Sequence, residues 1–134
     1  MRRGPARATG VAAAAGAALA LLVGCGVSSE FVELQGDPTD DDALPAFVQS
    51  DLVDRDSARL VVERDGVRIF LSAGTEPMSP ICVTLIGADL VWGSGCGRPP
   101  MEMSVPGIAV VTVGDPPPDG SEQVSENVSV RWLP

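Results

Sequence analysis

Apolar and polar residues alternate most clearly on either side of Asp65-Gly66. The flanking runs, residues 59–64 and 67–71, are rich in Val, Ile and Leu. Asp-Gly between two such runs is a strong hairpin signal, because a type I′ turn needs positive φ at both central residues. The sequence therefore predicts a β-hairpin here.

Pairing across this turn assigns the side chains to two faces of the hairpin. One face is apolar, whereas the other carries an ion pair and an aromatic residue. On that mixed face, Phe70 and Val61 form a candidate patch for a protein partner. The expected pairs are Val62 with Ile69, Leu60 with Leu71, Glu63 with Arg68, and Val61 with Phe70.

A second hairpin is predicted around residues 88–90. The nearly continuous apolar run 81–86 is typical of a central strand covered on both faces. Turning back through 88–90 sets Cys82 opposite Cys96, a spacing that a disulfide can bridge. The same register pairs Thr84 with Ser94 and Ile86 with Trp92, and the glycines at 93, 95 and 97 predict that the return strand becomes irregular near Cys96.

Further strands are predicted at residues 108–113 and 128–132, separated by a loop that contains the proline run 116–118. A short helix over 43–50, capped by Asp42, is the one helical prediction in this part of the chain. The fold class expected is mainly β: a small antiparallel sheet of five to six strands, either open, barrel-like or a sandwich.

The N-terminus has the layout of a secretory signal peptide, with three arginines before an apolar stretch of 13 residues, 11–23. As a helix this stretch covers about 20 Å, less than the ~30 Å hydrocarbon core of a bilayer. The alternative is a membrane-spanning helix, because the uncharged stretch 8–29 has 22 residues.

Leu22-Val23-Gly24-Cys25 resembles the lipobox of bacterial lipoprotein precursors. The resemblance implies that residues 1–24 are a lipoprotein signal peptide and are removed, and that Cys25 becomes the lipidated N-terminus. Two acyl chains on Cys25 would anchor the protein to the extracytoplasmic face of the cell membrane, its expected location. The alternative is a secreted protein without lipid, cleaved near Cys25.

Assigning Cys25 to lipid leaves Cys82 and Cys96 as a pair, and exported proteins retain disulfides. Closing a loop of about 15 residues is worth roughly 3 kcal/mol in the chain-entropy model. The sequence therefore predicts one disulfide in the β domain. The alternative is two buried free thiols.

Removal of residues 1–24 would leave 110 residues, which charge and composition divide into a tether and a domain. They hold six arginines and 18 acidic residues, a net charge of −12 that repels nucleic acid and anionic lipid headgroups. Residues 25–44 are acidic and lack apolar periodicity, which predicts a flexible tether. About 20 such residues span about 25 Å and would hold the domain clear of the headgroups. Residues 45–134 are then the small β domain.

The composition excludes most catalytic machinery, because the chain has no His, Lys or Tyr. We therefore predict no catalytic residue, metal site or cofactor. Two alternatives remain: a hydrolase with a carboxylate pair, and a calcium-dependent surface module. The acids available to the first are Glu63, Glu76, Asp89, Glu102 and Glu126, and those available to the second are Asp37, Asp40, Asp41, Asp42, Asp54 and Asp56.

From about Pro45 the chain resembles small actinobacterial envelope proteins of unknown function. The matching residues are 56–60, 65–67, 81–83 with Cys96, 118–120 and 124–128, and the match weakens over 97–107. The resemblance implies a disulfide-bearing β domain in the cell envelope and no activity. We therefore expect a lipid-anchored lipoprotein that binds or scaffolds a protein partner without catalysis.

Overall fold

Two four-stranded antiparallel sheets make up the fold. The computed structural model describes residues 31–134, so the predicted signal peptide and Cys25 lie outside the described residues. The first sheet has the order β1-β2-β3-β4 and the second has the order β5-β6-β8-β7. The strands are β1 Arg59–Arg64, β2 Val67–Glu76, β3 Ser79–Ile86, β4 Trp92–Gly97, β5 Met101–Val105, β6 Ala109–Val113, β7 Glu122–Gln123 and β8 Val128–Trp132.

The predicted mainly β, antiparallel class is confirmed, but the part of the chain that the structure describes has eight strands in two sheets. The predicted strands at 108–113 and 128–132 are β6 and β8, whereas β5 and β7 were not predicted. The main core joins the two sheets, because alternate residues of β2 and β3 pack with alternate residues of β6 and β8. Its fully buried members include Ile69, Leu71, Ile81, Val83, Leu85, Val111, Val113, Val128 and Val130.

The first hairpin has the predicted turn, and Asp65 and Gly66 have φ values of 52° and 80°. The predicted register is confirmed for Val62 with Ile69 and for Glu63 with Arg68. A β-bulge between Leu60 and Val62 then shifts it, so that Leu60 pairs with Phe70. The predicted pairs Leu60–Leu71 and Val61–Phe70 are therefore wrong.

The second hairpin is confirmed pair by pair, with Cys82 opposite Cys96, Thr84 opposite Ser94 and Ile86 opposite Trp92. The return strand β4 stays regular through Gly97, contrary to the irregularity expected there. Its glycines leave room for β5: a Cβ added at Gly95 would lie 2.9 Å from Cγ of Met103. Side chains of β5 thus occupy space that larger β4 residues would fill.

Residues 31–58 form an ordered N-terminal segment that packs on the sheets. Phe31 and Leu34 join the main core, while Leu44, Val48 and Val53 join a second cluster that covers Phe70 on the first sheet. Residues 31–44 thus differ from the expected flexible tether, because Phe31, Leu34 and Leu44 are buried by the domain. The segment contains three short 3-10 helices, Val32–Leu34, Asp40–Asp42 and Arg55–Ser57. The helix predicted over 43–50 is absent, and these residues are irregular apart from a turn at 46–47.

The two ends of the sandwich differ. At one end, which we call the entry end, the chain enters at Phe31 beside residues 125–127. Contacts across this end join the turns: Gly114 donates to the Asn127 carbonyl at 2.9 Å, and Arg98 donates to the Pro77 carbonyl at 3.3 Å. The opposite end, which we call the far end, carries the turns at 65–66 and 87–91 and the C-terminal residues, with Leu133 bonded to Ile108.

Candidate functional site

The partner patch predicted from Val61 and Phe70 is not available at the surface. Phe70 is 1% exposed and belongs to the second apolar cluster, beneath the N-terminal segment. Val61 lies in the β-bulge and packs against the main core. The prediction was wrong because the N-terminal segment covers Phe70, and because the bulge places Val61 against the main core instead of opposite Phe70.

The predicted disulfide joins Cys82 and Cys96, with Cα atoms 4.0 Å apart. It crosses β3 and β4 on the face that the N-terminal segment covers. Cys82 is fully buried, and its sulfur lies 3.4 Å from the carbonyl oxygen of Leu52. The bond therefore stabilises the part of the first sheet on which the N-terminal segment packs.

Glu33 fastens the start of the described chain to the second sheet. Its carboxylate accepts hydrogen bonds from Ser125 Oγ at 2.7 Å, from Asn127 N at 2.7 Å and from Asn127 Nδ2 at 2.9 Å. Burial alone would raise the pKa of Glu33, but the bonds from Asn127 and Ser125 outweigh it and lower that pKa. Glu33 thus binds as a charged acceptor that fixes where the chain enters the domain.

Two arginines hold the rest of the N-terminal segment through its carbonyl groups. Arg55 donates to the carbonyls of Leu44 at 2.7 Å and Pro45 at 3.0 Å, and also to that of Val48. Arg59 reaches the Gly36 carbonyl at 2.7 Å. These donors are used on the backbone, so both guanidinium groups act in structure.

Asp42, predicted to cap a helix at 43–50, instead ends the 3-10 helix Asp40–Asp42. Its carboxylate accepts bonds from Thr39 N at 2.7 Å and from Leu60 N at 2.8 Å. Desolvation acts to raise the pKa of Asp42, but these backbone bonds outweigh it and lower the pKa. Asp42 thereby connects the 3-10 helix Asp40–Asp42 to the start of β1.

Two open depressions lie on either side of Arg55. One has a volume of about 460 Å³ and is lined by Ala46, residues 48–51 and Arg55. The other, about 320 Å³, is lined by Asp40, Asp42 and Asp56 among others. Asp42 is bound to backbone amides, so the second depression does not present a free carboxylate pair from Asp40 and Asp42.

The acids considered for a hydrolase stand on five different elements. Glu63 lies on β1, Glu102 on β5 and Glu126 in the turn before β8. Glu76 is the last residue of β2, and Asp89 lies in the turn between β3 and β4. Nothing in this arrangement favours the hydrolase.

Two of the acids considered for calcium already accept hydrogen bonds from the backbone. Asp54 accepts a bond from the Asp56 amide at 3.3 Å, and Asp42 is bound as described above. Across residues 31–134, no group of three or more Asp, Glu, Cys or His side chains is placed to hold a metal ion. The structure thus gives the calcium alternative no site in this part of the chain.

The surface carries an apolar feature at the far end that the sequence analysis missed. Leu90 and Val91, in the turn between β3 and β4, are 61% and 54% exposed. Leu90 also has a φ of 66°, a conformation that glycine adopts at lower cost. Two aliphatic residues directly after Ala88-Asp89, where a polar turn is usual, are the signal that identifies this site in the sequence.

A polar cluster closes the side of the sandwich near the far end. Arg64 pairs with Glu122 through two contacts of 2.7 Å and lies 4.8 Å from the centre of the Trp132 ring. Trp132 in turn donates to Glu122 at 3.2 Å. The cluster joins β1, an edge strand of the first sheet, to β7, an edge strand of the second sheet, and to its neighbour β8. It therefore links the two sheets structurally.

The chain has no match among protein-family models, curated proteins or solved structures. None of the helices described between Phe31 and Pro134 has the length and apolar character needed to cross a bilayer.

Proposed function

We propose that this protein is a lipoprotein of the cell envelope, anchored to the membrane by acyl chains on Cys25, whose β domain binds or scaffolds a protein partner without catalysis. The observation that carries the proposal is the Cys82–Cys96 disulfide. It is typical of an exported protein, and it leaves Cys25 as the third cysteine of the chain, behind the signal-like N-terminus.

The anchor is tested by metabolic labelling of the full-length chain in a bacterial host. Cells grown with an alkyne-bearing fatty acid should label the wild-type protein in the membrane fraction. The matched control is Cys25→Ser, which keeps the disulfide and should remove both the label and the membrane association. Equal labelling of the two chains would contradict the assignment of Cys25.

Leu90 and Val91 form the proposed surface for the protein partner, instead of Val61 and Phe70. Adjacent exposed aliphatic residues are more typical of a contact surface than of a solvated turn. Leu90 also stands where glycine would be less strained, and such outliers occur where function maintains them. Asp65 and Asp89 lie in the two turns of this end, so a partner with an apolar contact and basic surroundings is favoured.

The surface is tested by placing a photo-crosslinking amino acid at Leu90 in the membrane-bound protein. Irradiation of intact cells should give a discrete adduct with another envelope protein. Glu102, exposed on β5, is the control position and should not give that adduct. Identical adducts from both positions, or none from Leu90, would contradict the assignment.

A further inference from the structure

The chain enters the domain at a fixed point. Phe31 and Leu34 are 7% and 8% exposed within the main core. Between them, Glu33 holds three hydrogen bonds to Ser125 and Asn127. The N-terminal side of the chain is therefore fixed to the domain at the entry end of the sandwich.

The distance from the proposed anchor to this point is short. Five residues separate Cys25 from Phe31. Six Cα-to-Cα steps reach at most about 20 Å even when fully extended. By comparison, β3 alone has eight residues and is about 27 Å long. The connection is thus shorter than the sandwich.

We propose that the entry end of the sandwich rests on the membrane, with Met78 and Arg98 in contact with the lipid interface. This inference rests on the proposed acylation of Cys25, and it goes beyond that proposal by assigning an orientation and a lipid-facing surface. It also replaces the expectation from sequence that a tether of about 20 residues holds the domain clear of the headgroups.

Met78 and Arg98 have the chemistry that this position requires. Met78, in the turn between β2 and β3, is 72% exposed, more than any other large apolar residue described as exposed. The guanidinium of Arg98 lies 3.9 Å from its sulfur and 3.3 Å from the Pro77 carbonyl. An apolar side chain beside a cation suits the boundary between acyl chains and phosphate groups. Val32, 46% exposed and next to the entry point, adds apolar surface at this end.

The far end is correspondingly directed away from the membrane. Trp92 begins β4 and Trp132 ends β8, so both tryptophans of the chain lie at the far end, as does Leu90. An orientation with the entry end on the lipid therefore presents the proposed partner surface outward. It also makes the native tryptophans internal reporters of the end that does not touch lipid.

The orientation is tested with the acylated protein, extracted from membranes and reconstituted into phosphatidylcholine vesicles. Part of the lipid carries a nitroxide on its headgroup, which quenches tryptophan fluorescence at short range. In Met78→Trp, the emission added by the substitution should be lost to the quencher. The emission of the wild type, from Trp92 and Trp132, should be retained.

Leu90→Trp is the matched control, because it adds a tryptophan in an exposed turn at the far end. Its added emission should not be quenched. Equal quenching of M78W and L90W, or no quenching of either, would overturn the orientation while leaving the anchor intact. An extracted protein whose mass shows no acylation would instead refute the proposed function.

A longer connection provides a second control. A Gly/Ser insert of about 20 residues between Ser29 and Glu30 raises the average span to about 28 Å. The quenching of M78W should then fall, since the domain is no longer held at the surface by a short chain. Unchanged quenching would show that the entry end binds lipid without the restraint and would contradict the role given to the connection.

Discussion

Glu33 accepts hydrogen bonds from both the backbone amide and the side-chain amide of Asn127, at 2.7 and 2.9 Å. The two residues are 94 positions apart, so this contact joins the start of the described chain to the turn that precedes β8. Because Ser125 also binds the same carboxylate, one acidic side chain fixes the N-terminal segment at the entry end.

Replacing Glu33 by Gln should destabilise the domain by about 1–3 kcal/mol, the usual cost of disturbing hydrogen bonds to a charged group. The amide keeps the shape of the side chain but removes the charge and sets an NH₂ group against donors. Urea unfolding followed by circular dichroism measures the change. Glu102→Gln, at an exposed position of β5, should stay within about 0.5 kcal/mol of the wild type. Similar losses in both variants would contradict the role of Glu33.

The stability of the wild type should depend on pH through the same carboxylate. The pKa of Glu33 lies below its ordinary value of 4.5, so in this range the unfolded chain binds more protons than the folded one. The contribution of the Glu33 carboxylate to the free energy of unfolding is therefore fully present above about pH 4.5. This contribution is lost as the pH falls through the lowered pKa of Glu33.

The corresponding measurement compares urea midpoints of the wild type and E33Q from neutral pH down to strongly acidic pH. Their difference should narrow on acidification, because the variant lacks the titrating group. A difference that stays constant over the whole range would refute the pKa shift as a source of stability.

Reducing the Cys82–Cys96 disulfide should lower the free energy of unfolding by roughly 3 kcal/mol in the chain-entropy model. The two cysteines are 14 positions apart, and the bond lies beneath the N-terminal segment. The measurement is urea unfolding of Cys25→Ser with and without a reductant, so that only this bond responds. The C25S/C82A/C96A variant should be insensitive to the reductant, and equal sensitivity would point to another cause.

Leu90→Gly should raise stability by about 0.5–1 kcal/mol, since glycine adopts positive φ without the steric cost that leucine pays. Leu90 has a φ of 66° and is mostly exposed, so little packing is lost. Ala88→Gly in the same turn is the control and should lower stability slightly, because Ala88 does not have positive φ. If thermal unfolding shows both variants destabilised alike, Leu90 is not strained.

The strands that could be predicted are those in which local pattern and pairing agree. In the second hairpin, Cys82–Cys96 and Thr84–Ser94 match in size and chemistry, so one register is favoured and it is confirmed. In the first hairpin, the consecutive aliphatic residues Leu60, Val61 and Val62 fit either face equally well. The pattern therefore contained no signal for the bulge between Leu60 and Val62.

The features that could not be predicted depend on distant contacts. The Asp-rich N-terminal segment buries Leu44 and Val48 at irregular intervals, because turns and 3-10 helices follow no single period. Its burial of Phe70 removed the predicted partner patch. The two residues of β7 are too few to form a pattern. In β5, by contrast, apolar and polar residues do alternate: Met101, Met103 and Val105 are half-buried, and Glu102 and Ser104 are exposed.

The acylation of Cys25 is tested directly by the intact mass of the protein extracted from membranes. We expect a mass equal to residues 25–134, with the disulfide formed, plus a diacylglyceryl group on Cys25. An unmodified chain, or one that retains residues 1–24, would contradict it.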